Sequence, residues 1–348
     1  LAGYGQPLPE DEAIGLAIGW WPSFSVPSGA YVKIDSDGSG QIITGAQECG
    51  TGAVMTLRQL VADELGMQPE DFELVYQDTS VAPYDMGATG SQTLFNNGRA
   101  AVAAAGQIAE QLKQLAADKL EANPADVVLA DGAASVAGTP SRSVPIAELA
   151  GIAAGGELLI GHGSGAPPAP PEVSGATCVG DVGMTAWVAP QFSCHAVRVK
   201  LDRDTGVTRV LEVSAVHDSG TILNIVGAEG QVQGAVLMGI GQALTEGTVY
   251  NDDAQQRNAM MLEYKLQTIA DSPRVTTHFV QINTPDAGPH GRQTVLPVRA
   301  HQVGDEDAHD EAGLEAFSQS DQEVGQHGCP PCGSGAGPRS GRRRVRST

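Results

Sequence analysis

The sequence predicts an α+β fold of hairpins and mixed sheets packed with helices, on three observations. Turn clusters rich in Asp and Gly separate strand-like runs in two places, and each hairpin is followed by a helical stretch rather than a regular strand–helix alternation. The chain has 348 residues with 41% hydrophobic content, more than one small core requires. Two subdomains are expected, over residues 1–160 and 176–291, joined by a Gly/Pro-rich linker at 161–175.

The elements follow in order. Residues 15–45 read as strands, with "AYVKI" and "QIITGA" flanking the turn cluster "DSDGSG". In "GAQECGTGAVMTLRQLVADELGM", Val54, Leu57, Leu60, Val61 and Leu65 recur at helical spacing, and Gly66 stands where a helix stops. "FELVYQ" alternates as a strand, "DTSVAPYDMGATGSQT" is a long loop, and a small-residue helix follows over about 97–120. "VVLADGAASV" gives a short strand pair, while "GHGSGAPPAPPEVSG" has little to bury and is assigned to the linker. Beyond it, "HAVRVKLDRDTGVTRVLEVSAVHD" is a hairpin about "DRDTG". "VQGAVLMGIGQALTEG" is a glycine-studded helix and "VTTHFVQIN" closes as a strand. After Gly291 periodicity ends, and an acidic patch at 305–311 gives way to "GCPPCGSGAGPRSGRRRVRST". Residues 292–348 read either as a disordered tail or as the product of a reading-frame change in GC-rich DNA, which yields Arg, Gly, Pro and Ser.

Composition narrows the function. A formal charge of −21, from 20 basic and 41 acidic residues, argues against nucleic acid or an anionic membrane as partner. No apolar run reaches the roughly 18 to 20 residues of a spanning helix. Five scattered cysteines suit a reducing compartment, so a cytoplasmic location is expected. Cys329 and Cys332 form a single C-x-x-C with no second pair nearby, and no metal site is assigned. His217 and Asp218 are neighbours that point apart on a strand, and Cys194 with His195 is read as core packing. No dinucleotide fingerprint, nucleotide-triphosphate loop or nucleophile elbow occurs.

Three glycine-rich segments, 50–53, 87–93 and 227–241, lead into or run through helices. A helix start offers unpaired N–H groups and partial positive charge, and glycine lets an anion approach them. Together they point to a large, polar, anionic ligand gripped from several sides by neutral groups. The bland alternatives are tight turns and, for Ser91 and Thr93, ordinary helix capping.

The segments "GLAIGWWPSFSVPSGAYVKIDSDGSGQIITGAQECGTGAVMTLRQLVADELGM", "QDTSVAPYDMGATGSQTLFNNGRA", "AVHDSGTILN" and "EGQVQGAVLMGIGQALTE" resemble the molybdenum hydroxylases. That family includes the large subunits of xanthine dehydrogenase, aldehyde oxidase and carbon monoxide dehydrogenase. The resemblance covers roughly residues 13–291 and implies the second, C-terminal molybdopterin-binding domain. It implies that Gly50, Thr51 and Gly52, with Gly90, Ser91, Gln92 and Thr93, cradle the phosphate or pyrophosphate of molybdopterin, which in bacteria often takes the cytosine dinucleotide form. It also implies hydroxylation of a carbon centre of an aldehyde, purine or heteroaromatic with oxygen from water, or oxidation of carbon monoxide. The implied partners are an iron–sulfur subunit, an FAD-binding subunit and the first molybdopterin-binding domain, since this chain has no iron–sulfur cysteine cluster.

Departures limit the inference. Thr51 and Met238 stand where the family often has Gln, and Ile225 where it usually has Pro. The family's Gly-x-Lys-Gly-x-Gly-Glu, whose glutamate is the catalytic base, is missing: Gly291 is followed by Arg292, Gln293, Thr294 and Val295, and the next glutamate is Glu306. No catalytic residue is assigned, and the chain alone is expected to be inactive. The alternatives are a non-catalytic fragment or pseudo-subunit that folds without cofactor, and an unrelated anion-binding α+β protein.

Overall fold

An uncharged run at 13–23 makes a long strand, β1 (Glu12–Ser23). A computed structural model of the chain describes residues 2–23, 27–76, 78–165 and 189–280. β2 (Gly29–Ile34) and β3 (Gly40–Thr44) form the expected antiparallel hairpin. α1 (Ala53–Leu65) buries Val54, Leu57, Leu60, Val61 and Leu65 and ends at Gly66, whose φ of 64° is the left-handed geometry of a C-terminal glycine. A side chain there would also collide with the Leu129 backbone at 2.4 Å. β4 (Phe72–Tyr76) returns parallel to β3.

α2 (Thr93–Leu120) begins four residues before the expected start and buries a face of small residues. β5 (Val127–Ala130), β6 (Ala133–Val136) and β7 (Thr139–Pro145) form a three-stranded sheet, followed by α3 (Ile146–Ala153) and β8 (Leu159–Ser164). β9 (Ala189–Leu201) and β10 (Thr208–Asp218) make the second hairpin. α4 (Ile225–Leu244) carries the chain to β11 (Arg274–Phe279), parallel to β10.

The two large sheets share one topology. Their orders are β4-β3-β2-β8 and β11-β10-β9-β1: a hairpin, a helix and a parallel strand, with an antiparallel strand added beside the hairpin's first member. The second half repeats the plan of the first.

Two expected boundaries differ from the structure. β1, placed in the first subdomain, pairs with β9 along its whole length and belongs to the second sheet. Residues 161–164, assigned to the linker, are in β8. Their glycines are a packing device. Hypothetical side chains at Gly161, Gly163 and Gly165 would lie 1.9, 1.9 and 1.8 Å from the carbonyl oxygens of Ala104, Ala100 and Asn96, so α2 rests directly on this strand. A rise of about 6 Å per four helical residues nearly matches about 6.7 Å per two strand residues, which keeps the contacts in step. Gln107 then closes the free edge of β8, its side chain donating to the His162 carbonyl at 2.8 Å and accepting from the His162 amide at 3.2 Å. The rest of the expected linker and residues 292–348 lie outside the described residues.

The main core joins α1, α2, α3 and the first sheet around Leu57, Phe72, Ile108 and Leu149. The second sheet has a far smaller core: Val213, Ala215, Val232, Val236 and Ile240, between β10 and α4.

Candidate functional site

The loops before α1 and α2 are held side by side by a buried polar network. The Thr44 hydroxyl, at the end of β3, donates to Asn97 Oδ1 at 2.9 Å and accepts the Ala46 amide at 3.1 Å. Asn97 Nδ2 donates to Asp85 Oδ2 at 2.8 Å, and Asp85 Oδ1 accepts the Gly87 amide at 2.7 Å. Thr44 and Asn97 are fully buried, where satisfied polar groups rigidify and unsatisfied ones are costly. Gly45 permits the close approach, since a side chain there would stand 2.7 Å from the Asp85 Cβ.

These loops open on a cleft of about 430 Å³ lined by Thr51, Ala53, Gly90, Ser91, Thr93, Leu94, Asn224 and Gly227, among others. The starts of α1, α2 and α4 all reach it. Asn224 caps α4, its Oδ1 accepting the Gly227 amide at 2.9 Å, while its Nδ2 lies 3.8 Å from where a side chain on Gly52 would begin. No Asp, Glu, Lys or Arg lines the cleft among the described residues. An acidic protein thus has here an uncharged cleft, in which apolar residues such as Leu94, Ile222 and Leu223 stand beside hydroxyls and helix starts.

The two expected anion loops differ in one respect that sequence reasoning missed. Glu48 folds back into the first. Its Oε1 accepts the amides of Gly50 at 2.8 Å and Gly52 at 3.0 Å, and its Oε2 accepts the Val54 amide at 3.1 Å. The Thr51 hydroxyl also donates to it at 3.3 Å. Gly52 has no side chain with which to cap α1, so the carboxylate two residues before the loop does so instead. Burial pushes the Glu48 pKa up, but the amide donors at Gly52, Val54, Thr51 and Gly50 outweigh it and hold the carboxyl below its ordinary value.

The second loop is open. The amides of Gly90, Ser91, Thr93 and Leu94 meet no acceptor among the described residues. Ser91 adopts a left-handed φ of 59°, and Gly90 one of 57°. Gln92 is buried, 1% exposed, with its side chain donating to the Gly87 carbonyl at 2.9 Å and accepting from Asn96 Nδ2 at 2.8 Å, which makes it a brace under the loop. Of the seven expected residues, Thr51, Gly90, Ser91 and Thr93 line the cleft, Gly50 and Gly52 serve Glu48, and Gln92 faces inward. Asn224, Gln191, Thr221 and Gln231 add polar side chains to the lining, and of these only Asn224 carried a signal, a capping residue before a glycine-rich helix.

His195 and His217 lie two residues out of direct register on β9 and β10, and their Nε2 atoms meet at 2.9 Å. Burial lowers both pKa values, and His195 lowers that of His217 further. One neutral ring donates to the other, so Cys194–His195 is more than core packing. No group of three His, Cys, Asp or Glu side chains suited to a metal occurs among the described residues.

A repeated sheet–helix plan whose three helix starts share one uncharged cleft suits a domain that holds an anionic cofactor. Residues 7–273 match the molybdopterin cofactor-binding domain family, and the chain belongs to that family, within the molybdenum hydroxylases. It is 34% identical over 248 residues to the nicotine 6-hydroxylase large subunit of Paenarthrobacter nicotinovorans, covering 70% of this chain and 29% of that one. It is 31% identical over 288 residues to a putative xanthine dehydrogenase molybdenum-binding subunit of Escherichia coli, covering 80% and 36%. Among solved structures, quinoline 2-oxidoreductase from Pseudomonas putida aligns with a TM-score of 0.67 at 27% identity, over 79% of this chain and 36% of that one. The chain spans about a third of the length of these relatives. No helix among the described residues is long and apolar enough to cross a membrane.

Proposed function

We propose that this chain forms one wall of the molybdopterin site of a molybdenum-dependent hydroxylase or dehydrogenase in the cytoplasm. The whole enzyme would act on an aldehyde, a purine or a heteroaromatic, or on carbon monoxide, and pass electrons to an iron–sulfur subunit and an FAD-binding subunit. The meeting of three helix starts in one uncharged cleft carries this reading.

The donor set fits the group. A pterin offers amide-like edges and its side chain a phosphate, and the cleft offers free amides at Gly90, Ser91, Thr93 and Leu94 with the hydroxyls of Ser91, Thr93 and Thr51. The phosphate, or the pyrophosphate of a cytosine dinucleotide form, is assigned to the start of α2, because Glu48 already engages the amides at α1. Asn224 Nδ2 would hold the ligand from the α4 side. When bound, the cofactor supplies the redox chemistry, in which water provides the oxygen. The described residues bind and orient it; none is assigned the proton transfer, so the chain by itself is expected not to turn over.

The reading is tested by expressing the chain in a host that makes molybdenum cofactor and measuring its molybdenum and pterin. Ser91→Asp, which sets a carboxylate against the α2 start, is expected to lower retained pterin about tenfold or more, a loss of about 1.4 kcal/mol. Equal pterin in both proteins overturns the site, and pterin in neither supports the pseudo-subunit alternative. Substrate-dependent dye reduction by the chain alone would refute its inactivity.

A further inference from the structure

Beside the cofactor cleft lies a second, smaller groove of about 210 Å³. Arg58 and Glu70 line it with Met55, Gln59, Thr56 and Asn224. Thr56 and Asn224 also line the cleft, so the two spaces adjoin. Arg58 comes from the second turn of α1, and Glu70 from the short 3₁₀ turn, Pro69–Asp71, that precedes β4.

Among the described residues Arg58 makes no hydrogen bond or ion pair, and its Nε is buried without an acceptor. That is costly for a group that stays charged and carries several donors. It is also unexpected in a chain with 20 basic and 41 acidic residues, in which Arg198 and Arg203 hold the carboxylates of Glu12 and Asp11. Glu70 has no partner among the described residues either, so the two charges share the groove without pairing. The groove therefore offers a donor-only group from α1 and an acceptor-only group from the turn before β4. The side-chain amides of Gln59 and Asn224 can do either, and the exposed Met55 thioether gives an apolar flank. A bare anion suits this set poorly, because Glu70 repels it. A flat heterocycle with ring acceptors beside an exocyclic amine suits both charges. A guanidinium donates to the acceptors and a carboxylate accepts from the amine, which are the pairings by which proteins read base edges.

We propose that this groove seats the base of a dinucleotide form of the cofactor, with Arg58 donating to the base's acceptors and Glu70 accepting from its exocyclic amine. The proposal rests on the cofactor reading above. It gives the base to α1 and the turn before β4, apart from the phosphate donors at the start of α2. Cytosine and guanine both carry a ring acceptor and an exocyclic amine. Uracil has a carbonyl at the place of cytosine's amine and meets Glu70 with repulsion, so the groove selects for an amino-bearing base and against uracil.

The test measures binding of CMP, GMP and UMP to the full chain by equilibrium dialysis, with inorganic phosphate as control. CMP or GMP is expected to bind about tenfold or more tighter than UMP, and Arg58→Gln to lower that affinity about tenfold or more. Both side chains reach the surface of the groove, so each variant should keep the wild-type melting temperature, separating lost binding from lost folding. Glu70→Lys sets a donor where the acceptor was and should turn the preference toward UMP, a reversal that a purely structural role does not produce. In parallel, the chain purified from the cofactor-making host is hydrolysed at the pyrophosphate, and the released nucleotide is counted against pterin. CMP or GMP equal to the pterin is expected. No nucleotide binding, equal binding of all three, binding of phosphate alone, or binding undiminished in the Arg58→Gln variant overturns the proposal. Pterin without nucleotide also overturns it and leaves the cofactor reading intact. Selective CMP or GMP binding by a chain that holds no pterin rejects the cofactor reading and leaves the base groove standing.

Discussion

The two sheets follow one plan and are closed to different degrees. The first has α1 and α2 across its inner face, with Leu57, Ile108, Leu112 and Leu149 fully buried between layers. The second has α4 alone among the described residues, and on the face of β1 turned away from α4 large apolar side chains stay in solvent, with Ile18 85% and Trp20 54% exposed. The outer face of the first sheet is mixed: Lys33 is paired to Asp35 at 3.1 Å and Gln41 bonded to Glu73 at 3.1 Å, beside exposed Tyr31 and Ile160. The same topology therefore does not imply the same independence. Among the described residues, the first half has a core closed by two helices and the second has a small core beneath one.

Substitutions at equivalent places should expose that difference, and the largest contrast is at the glycine tracks. Gly163→Ala would drive a side chain to 1.9 Å from the Ala100 carbonyl oxygen and should cost about 3 kcal/mol or more. Gly15→Ala, on the corresponding strand, has open space and should change stability by only about 0.5 kcal/mol. Chemical denaturation of the two variants measures both; similar losses would break the comparison.

Core truncation should come next. Leu57→Ala empties a fully buried site, at about 3 kcal/mol. Val236→Ala removes less from a layer that is already open, at about 1 kcal/mol. If the second sheet unfolds first, hydrogen exchange should show its strands opening before α1 and α2.

Two pH effects sharpen the contrast at smaller scale. Glu48 is held below its ordinary pKa in the fold, so its contribution is present above the unfolded value near 4.5 and is lost as pH falls through the folded one. Acid should free the Gly50 and Gly52 amides to exchange. Glu48→Gln should cost about 1 kcal/mol at neutral pH and abolish that acid dependence. The histidine pair acts in the second half with the same sign, the fold again favouring the deprotonated form, here the neutral one. Both rings are depressed below 6.5, so below that pH the unfolded chain binds protons that the fold refuses. Stability is full above about 6.5 and falls as pH drops toward the folded values, and His217→Phe should reduce that slope in thermal melts recorded from pH 7.5 to 5.5.

The hairpins, α1, the strand nature of β4 and the presence of α2 and α4 were legible because local periodicity and turn chemistry specify them. Partners along the sheets were not. That β1 crosses to β9 depends on contacts about 180 residues apart, and nothing in "AIGLAIGWW" names its neighbour. Glycine at 161–165 misled for a physical reason: the residue that loosens a linker is also the one that admits a helix at backbone contact, and only the third dimension separates the two uses. In the site, the loops and Ser91 were legible, whereas Glu48 was not, since a carboxylate beside a Gly-x-Gly loop becomes its cap only once the loop folds back. β7 and α3 were missed because "TPSRSVP" mixes turn and strand residues and α3 is only eight residues long.

The seam between β8 and α2 carries a genetic consequence. Every single-base change in a glycine codon that alters the amino acid either ends translation or introduces a Cβ atom. Gly161, Gly163 and Gly165 therefore have no permitted missense neighbour, though none of them lines the cleft. In a screen of variants these codons would look as intolerant as an enzyme's reactive centre, for reasons that are wholly steric.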